Sequence, residues 1–143
     1  MKNLSQINKI GLDVNIILYY LHQDKSFGKQ SLKLLTATET KTKIISALVY
    51  TEAFVYVFED DDESLVKKQL KALESIPKLQ IIVPTKQICL TAAQLRAAYK
   101  LKTPDAIHLA TAIDSGCDAF ITNDSNLKKV QEITVLTLRD INN

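Results

Sequence analysis

Four carboxylates stand at positions that chain folding would not by itself favour. Asp13 and Asp124 each follow a short apolar segment, Glu52 lies inside the apolar run ALVYTEAFVYVF, and Asp105 opens a segment of helical character. An ionised glutamate is costly to bury unless its charge is compensated. Carboxylates that come together repel one another, and a shared cation relieves that repulsion. Since all-oxygen ligation suits hard ions, these residues predict a site for Mg²⁺ or Mn²⁺.

Each acid also has an ordinary structural interpretation. Asp13 and Asp124 can cap the helices that follow them. Asp105 stands in the first turn of a predicted helix, where a negative charge is favourable. Glu52 can belong to a narrow polar stripe with Thr51 instead of facing a polar cavity. The metal-site hypothesis therefore depends on the four acids together and not on any one of them.

Polar neighbours accompany these acids. Asn15 lies two residues after the first acid, and Thr122 and Asn123 immediately precede the last one. Such side chains can orient a carboxylate or a water, or merely shape a turn. His108 lies about one helical turn after Asp105, on roughly the same face. A lone histidine there is more often a packed or supporting residue than a ligand.

The apolar pattern predicts the elements that must position the acids. Short strand-like segments alternate with helices, which is typical of an α/β fold with a mostly parallel sheet covered on both faces. In such sheets ligands bind at the carboxyl ends of strands, where Asp13 and Asp124 stand. In the second helix the pattern places Leu32, Leu34 and Leu35 toward the core. The predicted strands cover residues 9–13, 43–46, 79–83, 119–122 and 133–138. The predicted helices cover about 15–21, 28–40, 48–58, 64–76, 86–101, 103–116 and 125–130.

Composition and charge set broad limits. The 143 residues suit one domain, and 46% hydrophobic with 24% charged residues is typical of a soluble globular protein. Cys89 and Cys117 lack the spacing of a zinc site, and so few cysteines favour a reduced, cytoplasmic protein. We find no membrane-spanning run and expect no signal peptide. The net charge of +2 neither requires nor excludes a nucleic-acid partner.

Four motifs resemble those of the PIN domain family, and most closely the VapC-type toxins of bacterial toxin–antitoxin pairs. They are LDVN, SALVYTE, TPDAIHLATA and FITND, and the resemblance extends from about residue 9 to 138. It implies a single PIN-like domain over residues 1–143, with a mostly parallel five-stranded sheet. It also implies a metal-dependent endoribonuclease that leaves 5′-phosphate and 3′-hydroxyl ends. By position, the acidic quartet of the family corresponds to Asp13, Glu52, Asp105 and Asp124.

The resemblance also assigns supporting roles. Asn15 matches the polar residue that commonly follows the first acid by two positions, and Thr122 matches the hydroxyl residue at the end of the fourth strand. Asp114 and Asp118 lie near the motifs but match no quartet position, so we interpret them as surface acids.

An acidic pocket repels RNA, so nearby cations must guide the phosphate backbone. One group of candidates lies just before the segment of the third acid, and a second group lies earlier in the chain. For any single lysine, a solvated helix face is the commoner role. The first group is Arg96, Lys100 and Lys102, and the second is Lys67, Lys68 and Lys71.

The resemblance implies an RNA substrate and a small antitoxin protein as inhibitory partner, and we expect a homodimer. Phe54, Tyr56 and Phe58 can form a partner groove, a homodimer surface or part of the core. Three other functions stay open: a PIN nuclease for RNA processing, a non-catalytic binding module on the same scaffold, and a phospho-accepting receiver domain. The receiver is disfavoured because Asp13 stands alone after the first strand and Arg139, not lysine, follows the fifth.

Overall fold

A parallel sheet of five strands forms the centre of the chain. The computed structural model describes residues 4–142. The sheet has the order β3-β2-β1-β4-β5, with every neighbouring pair parallel, so the predicted sheet is confirmed. Because β1 is central and β4 is its direct neighbour, the segments after these two strands meet at one edge. The strands are β1 (Lys9–Leu12), β2 (Thr42–Ser46), β3 (Leu79–Ile82), β4 (Ala119–Thr122) and β5 (Thr134–Thr137).

Helices connect the strands, and local capping signals set several of their starts. Asp62 accepts a hydrogen bond from the backbone N–H of Leu65, and Thr85 accepts one from Ile88. Pro104 lies in the first turn of its helix, where a missing N–H costs nothing. The helices are α1 (Val14–Leu21), α2 (Gly28–Ala37), α3 (Leu48–Glu59), α4 (Glu63–Glu74), α5 (Lys86–Tyr99), α6 (Thr103–Asp114) and α7 (Leu138–Asn142), with 3₁₀ turns at Leu4–Gln6 and Ser125–Lys129.

The C-terminal helix α7 was not predicted, because Leu138 continues the apolar run of β5. Asp140 ends the strand instead: its Oδ2 accepts hydrogen bonds from the backbone N–H of Thr137 at 2.7 Å and from its hydroxyl at 2.8 Å. Lys128 donates a hydrogen bond to the other oxygen of the same carboxylate. A side chain two residues past the apolar run thus stops the strand, which the hydrophobic pattern does not record.

Two hydrophobic cores lie on opposite faces of the sheet. Helices α1, α2, α3 and α4 contribute to one core, and α5 and α6 form the other. Leu34 and Leu35 of α2 are buried as predicted, whereas Leu32 is 52% exposed, so its predicted inward position is wrong. The helical period could not predict which of these three leucines is exposed. A helix can bury a stripe that is narrower than its apolar face. Within residues 4–142 no helix is long and apolar enough to cross a membrane.

Gly11 in β1 allows α6 to lie directly on the sheet. A β-carbon at this position would lie 2.4 Å from the β-carbon of Ala112 and 3.0 Å from the ring of Phe120. Real β-carbons do not approach so closely, so only glycine fits without a shift of α6. This close packing fixes the height of α6 over β1, and with it the position of the acid in its first turn.

At the amino ends of the strands, lysines are bound by the chain's own carbonyl groups. Lys43 is 0% exposed, and its Nζ donates to three backbone carbonyls at 2.6, 2.8 and 3.0 Å. Lys9, Lys41 and Lys78 also donate to backbone carbonyls. Asp118 at the same edge accepts two backbone N–H groups, each at 2.9 Å. The charged side chains at this edge of the sheet are therefore hydrogen-bonded to the backbone of the same chain.

Candidate functional site

The carboxyl ends of β1 and β4 hold Asp13 in a fixed orientation. The backbone N–H of Asp13 donates to Ile121 of β4 at 2.9 Å, so the residue continues the pairing of the two strands. One carboxylate oxygen accepts the N–H of Val14 at 2.7 Å, and the other accepts the hydroxyl of Thr122 at 2.6 Å. Asp13 is thus both a helix cap and a buried carboxylate, only 3% exposed.

Burial raises the pKa of Asp13 above its usual range. The hydrogen bond from Thr122 and the nearness of His108 act the other way and lower the pKa, whereas the charge of Asp105 raises it. A buried carboxylate normally has a cationic partner. Within residues 4–142 no lysine or arginine forms an ion pair with Asp13.

Thr122 connects three of the predicted site residues. Its hydroxyl donates to Asp13, and the same oxygen accepts the backbone N–H of Asp124 at 3.0 Å and the side-chain amide of Asn15 at 3.4 Å. Asp124 itself is exposed, and its carboxylate caps the following 3₁₀ turn through Asn126 at 2.9 Å. The predicted supporting residues are therefore hydrogen-bonded to the strand-end acids.

Asp105 in the first turn of α6 is half-buried beside other acids. Burial raises the pKa of Asp105, and the charges of Asp124 and Glu52 raise it further. His108 and Lys102 oppose these effects and lower the pKa. Asp105 thus interacts electrostatically with each of the other three carboxylates.

Glu52 faces the site and not a polar stripe on α3. Thr51 is exposed, whereas the Glu52 side chain is 29% exposed and its Oε1 lies 2.7 Å from Nε2 of His108. This hydrogen bond joins α3 on one face of the sheet to α6 on the other. Glu52 thus has a buried polar partner within the fold, whereas Thr51 has its side chain at the surface.

His108 is the residue of this site whose contact sequence reasoning missed. It is buried, it bonds to Glu52, and it affects the pKa of both Asp13 and Asp105. The available signal was a single polar residue within the otherwise apolar segment AIHLA, three positions after Asp105. That spacing places both residues on one helix face, but it cannot indicate a partner 56 residues away in the chain.

The donor set fits a hard divalent cation. Carboxylate oxygens are joined by the side-chain oxygen of Asn15, which is buried and has no hydrogen-bond partner in the part of the chain that the structure describes. In the same part of the chain, no three His, Cys, Asp or Glu side chains converge closely enough to enclose a metal ion. Mg²⁺ does not require such an enclosure, because it usually keeps several waters and binds one or two carboxylates directly.

The predicted RNA-guiding cations differ in their surroundings. Arg96 is exposed, and its Nε donates to the carbonyl of Leu101 at 3.2 Å, across the turn between α5 and α6. Lys100 ends α5 in the left-handed conformation, with φ 58°. Lys102 is exposed and near enough to Asp105 to lower its pKa. Lys102 is therefore the candidate that the structure links electrostatically to the acids.

The second lysine group and the two remaining acids lie on surfaces. Lys67, Lys68 and Lys71 are exposed on α4, as expected for a solvated helix face. Asp114 is exposed at the end of α6, and Asp118 lies at the amino edge of the sheet, opposite the quartet. Both acids are thus the surface residues that were expected.

Comparison with known families assigns the chain. The family model described as the PIN domain matches residues 10–133, from within β1 to the residue before β5. The chain belongs to the PIN domain family. A search among curated proteins found no sequence match.

Solved structures share the fold at low sequence identity. A chain of VapBC2 from Rickettsia felis, bound to a promoter DNA fragment, has a TM-score of 0.73 and 18% identity, covering 90% of this chain and 98% of that one. A chain of a toxin–antitoxin complex from Klebsiella pneumoniae has a TM-score of 0.69 and 24% identity, covering 94% and 100%. A chain of DNA-bound VapBC from Salmonella typhimurium has a TM-score of 0.66 and 15% identity, covering 92% and 98%.

Proposed function

We propose that this chain is a Mg²⁺- or Mn²⁺-dependent endoribonuclease, the toxin of a type II toxin–antitoxin pair. The observation that supports this most directly is the acidic edge. Asp13, Asp105, Asp124 and Glu52 interact there, and within residues 4–142 no lysine or arginine is ion-paired to them. Membership of the PIN domain family supports the same activity.

The proposed roles follow from how each carboxylate is held. Asp13 is oriented by two hydrogen bonds and Asp124 is anchored by its backbone, so these two offer fixed oxygens at adjacent strand ends. Asp105 approaches them from α6, and Glu52 completes the set directly or through water. A bound divalent ion supplies activation of water and stabilisation of the negative charge that develops on the phosphate and leaving oxygen. Asn15 and Thr122 hold the strand-end acids in place.

The RNA backbone must approach this acidic edge, and Lys102 is the cation best placed to assist it. Its charge already acts on Asp105. We propose the same guiding role for Arg96, in the last turn of α5, and for Lys100, which caps that helix just before α6. A cation at this turn would contact a phosphate near the scissile bond and would add to the salt dependence of binding.

The protein partners are proposed on separate grounds. The fold resembles a chain of a Klebsiella pneumoniae toxin–antitoxin complex, which supports a cognate antitoxin. On α3, Phe54 is buried in the core, whereas Val55, Tyr56 and Phe58 are exposed, Phe58 by 67%. Exposed apolar side chains on one helix are typical of an interaction surface, and we propose that they support a homodimer in the cytoplasm. Light scattering of the wild-type protein and of Phe58→Ser tests this, and a monomeric wild type would contradict it.

Cleavage of end-labelled structured RNA tests the proposed activity. The purified protein is incubated with Mn²⁺, Mg²⁺ or EDTA, and Asp105→Asn protein purified in the same way controls for contaminating nuclease. We expect cleavage that requires metal and is lost in the variant. A folded protein that binds Mn²⁺ but cleaves no RNA, alone or freed of antitoxin, would favour a non-catalytic binding module. A protein that neither cleaves nor binds metal would overturn the metal site itself.

A further inference from the structure

His108 lies among the acids but is not one of them. It is 2% exposed, in the middle of α6, and its neighbours Ala106, Leu109 and Ala110 are buried apolar residues. A polar ring at such a position is costly unless it is hydrogen-bonded. Its bond to Glu52, at 2.7 Å, crosses from one face of the sheet to the other. The burial of this imidazole is therefore tied to one particular carboxylate.

The two ring nitrogens define the direction of this bond. A carboxylate oxygen of Glu52 can only accept, so Nε2 of His108 must carry the proton. Nδ1 is buried and has no hydrogen-bond partner within residues 4–142. The geometry thus defines an Nε2 donor that points at the carboxylate of Glu52.

Glu52 needs such a donor more than Asp13 and Asp124 do. Asp13 and Asp124 are held by backbone N–H groups, and both have short side chains. Glu52 stands in the second turn of α3 and has a longer side chain. Within residues 4–142, the hydrogen bond from His108 is the one that its carboxylate accepts. The charge of Asp105 repels it, so an unrestrained Glu52 would turn outward to water.

We propose that His108 is a positioning residue that holds Glu52 toward the other acids and so maintains the affinity of the site for a divalent cation. This inference rests on the proposed function, because it assumes that Glu52 takes part in cation binding. His108 acts through Glu52 and does not touch the reacting atoms. Removal of such a supporting partner typically costs about 10- to 100-fold in metal affinity or activity.

Two substitutions at this position separate positioning from packing. His108→Leu fills a similar volume with an apolar side chain and removes the hydrogen-bond donor. His108→Gln places an amide N–H near the position of Nε2 and so retains a donor. We expect Mn²⁺ affinity, measured by calorimetry, to fall about 10-fold or more in His108→Leu and to be largely recovered in His108→Gln. RNA cleavage should follow the same order. Thr111→Val, a buried polar change one turn further along α6, is the matched control and should match the wild type.

A double-mutant cycle with Glu52→Gln measures whether the effect of His108 on Mn²⁺ binding depends on Glu52, which a purely structural role of His108 would not require. If His108 acts through Glu52, His108→Leu should weaken Mn²⁺ binding in the wild type but not further in Glu52→Gln. ¹⁵N NMR of the histidine rings should also show that Nε2 of His108 carries a proton. If His108→Leu fails to fold, His108→Asn replaces it, because asparagine is polar but one methylene too short to reach Glu52.

The outcomes distinguish this inference from the proposed function. Wild-type protein that binds Mn²⁺ and cleaves RNA, with His108→Leu equal to it in both, would overturn the positioning role alone. Equal losses from His108→Leu with and without Glu52→Gln would also overturn it. Wild-type protein that binds no Mn²⁺ would overturn the proposed function and the positioning role together.

Discussion

The charged residues at the two edges of the sheet differ in how their charges are compensated. At the amino edge, buried Lys43 donates to three backbone carbonyls, and two backbone N–H groups lower the pKa of Asp118. At the carboxyl edge, burial and neighbouring acids raise the pKa of Asp105, and burial raises that of Asp13. The amino edge hydrogen-bonds its charged groups within the chain, although burial and the charge of Lys78 lower the pKa of Lys43. The carboxyl edge brings carboxylates together without a lysine or arginine ion-paired to them within residues 4–142. Charge that the fold satisfies stabilises the fold, whereas charge that it leaves uncompensated is available to a ligand.

This difference predicts that substitutions at the two edges have separable effects. Changes at the carboxyl edge should abolish activity without loss of stability, as is common where function requires a destabilised site. Changes at the amino edge should lower the free energy of unfolding and leave RNA cleavage per folded molecule unchanged.

Asp105→Asn should lower metal-dependent RNA cleavage by at least about 100-fold, since even a residue that only supports a ligand typically contributes 10- to 100-fold. Gel assays with Mn²⁺ measure this. Asp114→Asn, on the exposed end of the same helix, should cleave like the wild type. Equal activity of the two variants would place the chemistry elsewhere.

Lys43→Met should lower the free energy of unfolding by about 2–4 kcal/mol, because it removes the donor to three backbone carbonyls, of which that of Thr38 is buried. Urea denaturation followed by circular dichroism measures the change. Lys33→Met, on the exposed face of α2, is the control and should change stability little. Cleavage per folded molecule should be unchanged in both. An unaltered stability of Lys43→Met would show that the amino edge does not depend on this lysine.

Asp105→Asn should also raise the free energy of unfolding near neutral pH, by about 1 kcal/mol. The folded protein holds the pKa of Asp105 above its unfolded value, so the ionised group opposes folding at neutral pH. Protonation removes that penalty as the pH falls through the raised pKa, and the difference between variant and wild type should then vanish. Asp118 has the opposite sign: its pKa is lowered, so its contribution is present at neutral pH and is lost on acidification. Thermal melts between pH 3 and pH 7, run with Asp118→Asn beside Asp105→Asn, test both signs.

Lys102→Ala should weaken RNA binding several-fold and reduce the slope of log affinity against log salt by about 0.7, the value for one phosphate contact on a single strand. Fluorescence anisotropy at several salt concentrations measures the slope, with Asp105→Asn as the background so that RNA is not cut. Lys33→Ala is the matched charge control. An unchanged slope for Lys102→Ala would remove this residue from the RNA path.

Much of this architecture could be predicted because its determinants are local. Thr85 and Asp62 cap the helices that they precede, and the strands are short apolar runs between such signals. Asp13 follows a predicted strand, so its place at the carboxyl edge needs only the parallel arrangement of the sheet. Two predictions were wrong. Asp140 stops β5 before Leu138, and Leu32 of α2 is 52% exposed because the packing of that helix, not its own apolar pattern, decides which side is buried.

The sequence by itself determined the order of the elements, the parallel sheet and the types of residue that reach its carboxyl edge. Only the tertiary structure decided which of these residues touch. Glu52 and His108 are 56 positions apart and Thr122 and Asp13 are 109 apart, yet each pair is joined by one short hydrogen bond. Such contacts depend on how closely α6 packs against β1 at Gly11. This distance is set by tertiary packing, so the local sequence pattern does not predict it.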